Sequence, residues 1–193
     1  MIRKLAVAFC LIMALVLFAG VMHAQTQTFY YRVDYFANAN TAGAQDATLR
    51  LDNDGAAAAA NLCADIFIFD PNEEMSECCS CLETPDGLRK LSINTNLTSN
   101  PLTGVLLTDG VIKIVPAATS GGSCPVPFRV TTVAGAEIQG WATHIQDTTF
   151  IVTETASQVS TLSTAEQSNL AQQCGAIEKV GSGKGICSCG SGS

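Results

Sequence analysis

Alternation of apolar and polar residues dominates this chain and predicts strands. From Thr28 to Ala37, Phe29, Tyr31, Val33 and Tyr35 alternate with Tyr30, Arg32, Asp34 and Phe36, as a half-buried pleated surface requires. Ala47 to Leu51 predicts a short second strand with Leu49 and Leu51 on one face. Asp52-Asn53-Asp54-Gly55 reads as a turn, and the alanines at 56–60 as loop or a short helical turn. Leu62 to Phe69 is apolar on both faces: Leu62, Ala64, Ile66 and Ile68 on one, Cys63, Phe67 and Phe69 on the other. A strand of that kind belongs inside the sheet system. Asp70-Pro71 ends it, and the next stretch, cysteines included, is expected to loop as far as the turn Thr84-Pro85-Asp86-Gly87. Leu88 to Ile93 predicts a strand and Asn94 to Thr103 a surface loop. Asp109-Gly110 between Val105–Thr108 and Val111–Val115 is a type I′ hairpin signal, with Pro116 as its stop. Phe128 to Val133 alternates again. Ala136–Ile145 and Thr148–Thr155 predict a second hairpin across Gln146-Asp147. Ser163-Thr164-Ala165-Glu166 is a capping box, opening a helix expected from Thr164 to about Cys174 and stopping at Gly175.

About eight strands with turn signals between them predict a mostly all-β fold. The expected architecture is a two-sheet antiparallel β-sandwich with one C-terminal α-helix at one end and disulfide-braced loops. The organisation expected is a leader over residues 1–24 and a single domain over 25–193, ending in a Gly/Ser-rich tail from Gly181. The leader has a basic start, Arg3-Lys4, an apolar run from Leu5 to Val21 and a small residue at Ala24, the form of a secretory signal peptide. A membrane anchor is the alternative. The apolar run falls short of a comfortable span, and Gln25-Thr26-Gln27-Thr28 follows at once.

Charge then narrows the partners. The chain carries a formal net charge of −7, and loss of Arg3 and Lys4 with the leader takes it to −9. Nucleic acid is not expected as a partner, because phosphate binding needs a basic face. Nine cysteines become eight once Cys10 leaves with the leader. An even set in an exported chain predicts disulfides among Cys63, Cys78, Cys79, Cys81, Cys124, Cys174, Cys187 and Cys189. Neighbours Cys78 and Cys79 are expected to point opposite ways and not to pair together. The 78–81 cluster is expected to draw partners from Cys63, Cys124 and the tail, with Cys174 and Cys187 closing a short loop.

Candidate chemistry is thin. Thiolate metal binding is an alternative to disulfides, but the paired Cys-x-x-Cys spacings of structural zinc are absent. Asp52-Asn53-Asp54-Gly55 lacks the acids of a calcium loop at positions 50 and 61; the acids between Asp65 and Asp86 are a looser alternative. His144 is the one histidine of the mature chain, and no Gly-x-Ser-x-Gly elbow accompanies it. Gly181 to Gly185 lacks the spacing and hydroxyl of a phosphate loop. Asn96-Leu97-Thr98 matches a glycosylation sequon. No catalytic residue, metal ligand or cofactor is therefore assigned.

Three stretches carry a resemblance: Glu77-Cys78-Cys79-Ser80-Cys81, Leu97-Thr98-Ser99-Asn100-Pro101-Leu102-Thr103-Gly104, and Gly181 through Cys189. Together the chain resembles a family of uncharacterised secreted bacterial proteins. The resemblance implies export and supplies neither an activity nor site residues. The expected role is a non-catalytic structural or surface contact protein, with self-association or a cell-surface polymer as its partner. One route to assembly is addition of the aromatic strand Phe29–Phe36 to a neighbour's sheet edge. The alternative from another class is a glycan- or small-ligand-binding module with Trp141 and the tyrosines as stacking platforms.

Overall fold

The structure, a computed structural model, describes residues 28–55, 60–127, 130–133, 135–180 and 183–190. Among the described residues, nine strands form two antiparallel sheets. They are β1 (Tyr30–Phe36), β2 (Thr48–Asp52), β3 (Leu62–Phe69), β4 (Met75–Glu83), β5 (Leu88–Ser92), β6 (Gly110–Ala118), β7 (Gln139–Gln146), β8 (Ile151–Ala156) and β9 (Gln158–Thr161). The first sheet runs β4-β3-β6-β1-β9 and the second β5-β2-β7-β8. Helix α1 spans Thr164–Lys179, and a π-helical turn covers Ile93–Leu97. The alanine run at 56–59 and two positions of the expected strand at 128–133 lie outside the described residues.

Apolar residues sort by strand parity. Leu62, Ala64, Ile66 and Ile68 of β3 join Leu49, Leu51, Ile112, Ile114 and Ile138 between the sheets. Phe67 and Phe69, on the opposite face, join a second core with Val115, Leu170, Cys174 and Ile177. All eight residues of β3 are therefore buried. The helix lies on the outer face of the first sheet, rather than at one end of the sandwich, because that face is too apolar to meet water.

Four expectations are corrected. The cysteine cluster is not loop: it forms β4, paired with β3 from Leu62↔Glu83 to Phe69↔Met75. Alternation there is hidden because cysteine is apolar enough for either core and both faces are covered. The Asp109-Gly110 hairpin does not form, since Gly110 already begins β6, whose partners are β1 and β3. Pro116 does not end β6; the β1 ladder stops at Ile114, leaving a one-sided position that a proline tolerates. The helix continues through Gly175 to Lys179, as burial of Ile177 and the Cys174 bridge outweigh a glycine's cost of about 1 kcal/mol. In addition, β1 sits between β6 and β9, so both edges of the aromatic strand are occupied within the chain.

The β7–β8 hairpin forms, with its turn over 147–150 rather than at Gln146-Asp147. Ser163 caps the helix as expected, whereas the Glu166 carboxylate pairs with Lys113 instead of reaching back. The Ser163 hydroxyl accepts the Glu166 amide at 3.1 Å. From β8 the chain passes through Ser157 straight into β9, leaving one sheet for the other. Gly140 makes the corner possible: a Cβ there would lie 2.5 Å from the Ser157 hydroxyl.

Gly110 is as tightly enclosed. A Cβ would fall 2.6 Å from Cζ of Phe36 and closer still to the Phe69 carbonyl. Gly110→Ala should therefore destabilise the domain by about 1–3 kcal/mol, the usual cost of overpacking. Thermal melting of oxidised wild type and variant checks this, and equal midpoints would contradict it.

Candidate functional site

Three places concentrate chemistry, and β4 takes part in two of them. Its odd-numbered residues face the gap between the sheets, and its even-numbered ones face the helix side. A bulge near Ser76 lets Met75 face Phe69 on the outer side while Glu77 faces inward.

The first place is the sulfur ladder. Cys78 points outward and bonds Cys174 of the helix. Cys79 and Cys81 point inward and bond Cys187 and Cys189 of the tail. Cys63 bonds Cys124. Cys78 and Cys79 thus diverge as expected, and the tail supplies two partners. The other two guesses are corrected: Cys63 and Cys124 pair with each other, and Cys174 does not meet Cys187.

The tail pairs with β4 through one parallel bridge, Cys78↔Ile186. The Cys78 amide donates to Gly185 at 2.9 Å and the Cys187 amide to Cys78 at 3.2 Å. Its far side reaches the second sheet. The Ser188 amide donates to Asn96 at 2.9 Å, and Arg89 Nη1 donates to the Cys189 carbonyl at 2.8 Å. The tail therefore closes the seam between β4 and β5. Gly185 sits at φ +82°, and a Cβ there would lie 2.6 Å from Ile177. Gly185, the last residue of the stretch that lacks a phosphate loop's spacing, serves close packing against the helix. The sequon asparagine is also engaged: Asn96 accepts from the Ser92 amide and donates to the Ser188 hydroxyl.

Among the described residues, one group could share an ion: Cys79, Cys81 and Cys189, all consumed in disulfides. The acids from Asp65 to Asp86 do not converge. Asp65, Glu77 and Glu83 are buried on strands, whereas Asp70, Glu73, Glu74 and Asp86 lie outside them, exposed or half-buried.

The second place is the corner where β8 becomes β9. The Ser157 hydroxyl donates to Asp34 Oδ2 at 2.7 Å, and Asp34 Oδ1 lies 3.5 Å from His144 Nε2. The Thr155 hydroxyl meets the same Nε2 at 2.7 Å, and Tyr35 stacks on the imidazole with ring centroids 4.0 Å apart. Asp34, His144 and Ser157 are all buried. The residue types are those of a hydrolytic triad, but the wiring differs. A triad needs the acid on Nδ1 and the nucleophile on Nε2. Here the serine bonds the acid directly, and Nδ1 has no partner among the described residues. Burial raises the Asp34 carboxyl above its ordinary range, opposed by Ser157, the Tyr35 amide and His144. The cluster pins the strand crossover. Sequence pattern alone could not find it, since Asp34 and Ser157 are 123 positions apart.

The third place is a cleft of about 350 Å³ on the outer face of the first sheet, beside the helix. Asp65 and Ser80 form its floor as a cross-strand pair, with Ser80 Oγ 2.5 Å from Asp65 Oδ1. Val126 and Pro127 form part of its wall, on the loop tethered by the Cys63–Cys124 bridge. Burial pushes the Asp65 carboxyl up to about 7. Sequence reading missed this site because Asp65 was one acid among seven in its stretch. Trp141 and the tyrosines do not line it: Trp141 is half-buried in β7, on the second sheet.

Comparison with protein-family models, with curated proteins and with solved structures returns no match.

Buried acids give the fold a pH signature. Glu77 is fully buried beneath the loop at Asn100, whose amide reaches its Oε1 at 3.3 Å, and burial pushes its carboxyl up to about 8. A carboxyl held above its unfolded value binds its proton more tightly in the folded state. Its stabilising contribution is fully present below the unfolded value of 4.5 for Glu77 and is lost as pH rises through about 8. Asp65 acts in the same direction up to about 7. Stability should therefore fall between pH 5 and 9, and Glu77→Gln should flatten that fall. Melting midpoints across the range, in both proteins, are the measurement; parallel profiles would contradict the assignment.

Proposed function

We propose that this is an exported, non-catalytic protein that works by contact, as a structural or surface component outside the cytosol. The observation that carries the reading is the clasped terminus. Two disulfides hold a glycine-rich tail in the seam between the sheets, where without them it would fray. Cross-links of this kind form and persist in oxidising compartments. A domain of this length does not need them to fold, so their use lies in resistance to unfolding and proteolysis.

Other features support the reading. The apolar leader ahead of Gln25 has the form of an export signal. No helix among the described residues is long and apolar enough to cross a membrane. The corner at His144 holds the residues of a hydrolase without their geometry, which favours a structural use. The surface available for contact includes β8, an edge strand whose six residues are all exposed, Ile151 and Val152 among them. An unpaired edge of this kind is a site for adding another strand.

Expression of the full chain in an exporting host tests the proposal. The expected product lies outside the cytosol, begins near Gln25 and has no titratable thiol until reduced. Retention in the cytosol with the leader intact and the cysteines reduced would overturn it. In the same preparation, the double variant Cys187→Ser, Cys189→Ser should lose about 2–5 kcal/mol or more of stability. Limited proteolysis should then cut first in the freed tail.

A further inference from the structure

We propose that the cleft over Asp65 and Ser80 binds a small organic cation: a protonated amine at the end of an unbranched carbon chain. Strand alternation dictates the floor. Cys63, Asp65, Phe67 and Phe69 share the outer face of β3; the helix-side core takes Phe67 and Phe69, and Asp65 is left beside the cleft. An acid in that position is unusual, since a buried carboxylate is normally paired. Its side chain accepts from the neutral Ser80 hydroxyl, and no cation among the described residues lies within ion-pair distance.

The cleft supplies what a cation needs. None of its described lining residues is positively charged. The lining also includes Ser80, Thr119, Ser120 and Thr131, whose hydroxyls can accept from the N–H groups of an ammonium. Val126 and Pro127 offer an apolar wall for the carbon chain. The size falls in the range of small-ligand sites, and the lining combines apolar residues with a few polar ones, as such sites do. The site is also built to keep its shape: the floor is paired strand and the wall is bridged to it through Cys63–Cys124. Burial that holds the carboxyl near neutrality is a desolvation cost that a bound cation offsets. The acid excess of the whole chain raises the local concentration of cations at the surface.

The test uses the oxidised full-length domain and three probes: n-butylammonium, N-acetyl-lysine amide and the uncharged n-butanol. Titrations are followed by NMR, including the side-chain carboxyl carbon of Asp65. The expected result is a saturable shift of that carbon with at least one of the two amines at millimolar concentration, and none with butanol. Binding of butylammonium with exclusion of the lysine derivative identifies a free amine as the ligand; binding of both admits a lysine side chain. Asp65→Asn, which keeps the size of the residue, should weaken the amine at least tenfold. Equal binding of butanol, unchanged affinity in Asp65→Asn, or no saturation with either amine would each overturn the proposal. The wild-type carboxyl shift decides the matter even if the variant does not fold.

Discussion

Everything in this fold is fastened to one strand. β4 lies at the edge of the first sheet, and its alternate residues reach two different layers. Outward, Cys78 ties the helix onto the sheet; inward, Cys79 and Cys81 tie the tail into the seam between sheets. Consecutive cysteines on a strand must diverge, because successive side chains point to opposite faces. That single rule converts a compact cluster of thiols into cross-links between three layers. It also blunts an exposed edge: the tail hydrogen-bonds to β4 at Cys78, where another chain could otherwise add.

Loop length explains the weight of these cross-links. The bridges from β4 span 96 and 108 residues, so each restricts a large part of the unfolded chain. The covalent frame lets the interior hold groups that a purely apolar core excludes. Glu77 and Asp65 lie buried with no ion-pair partner among the described residues, and Glu83 is buried against Arg89. Arg89 itself donates to the Leu82 and Cys189 carbonyls, so the same guanidinium neutralises an acid and caps the tail. Such buried acids cost stability when ionised.

At the opposite margin the sheets are joined without sulfur. One continuous segment, β8 to β9, belongs to both, and Asp34 grips its midpoint through Ser157. Arg32, two residues earlier, donates to the Ile138 carbonyl and the Gln139 side chain near the start of β7. The inward polar residues of β1 are thus spent on holding the crossover. The sandwich is closed by a covalent clasp on one side and by a strand that changes sheets on the other.

Periodicity by itself determined much of this architecture. The two faces of β3, the β7–β8 hairpin, the start of the helix and the divergence of Cys78 from Cys79 all follow from spacing within short windows, where local sterics rule. Length of helix, fate of the Asp109-Gly110 turn and strand character at 75–83 did not follow. Each depends on what covers a face or edge, and that is contributed by residues a hundred positions away. Disulfide partners belong to the same class, since a cysteine's sequence neighbours say nothing of which layer will lie opposite. The site at Asp65 was equally hidden. Its meaning comes from a bridged loop standing beside it and from the lack of an ion-pairing cation among the described residues, and those are properties of packing in three dimensions.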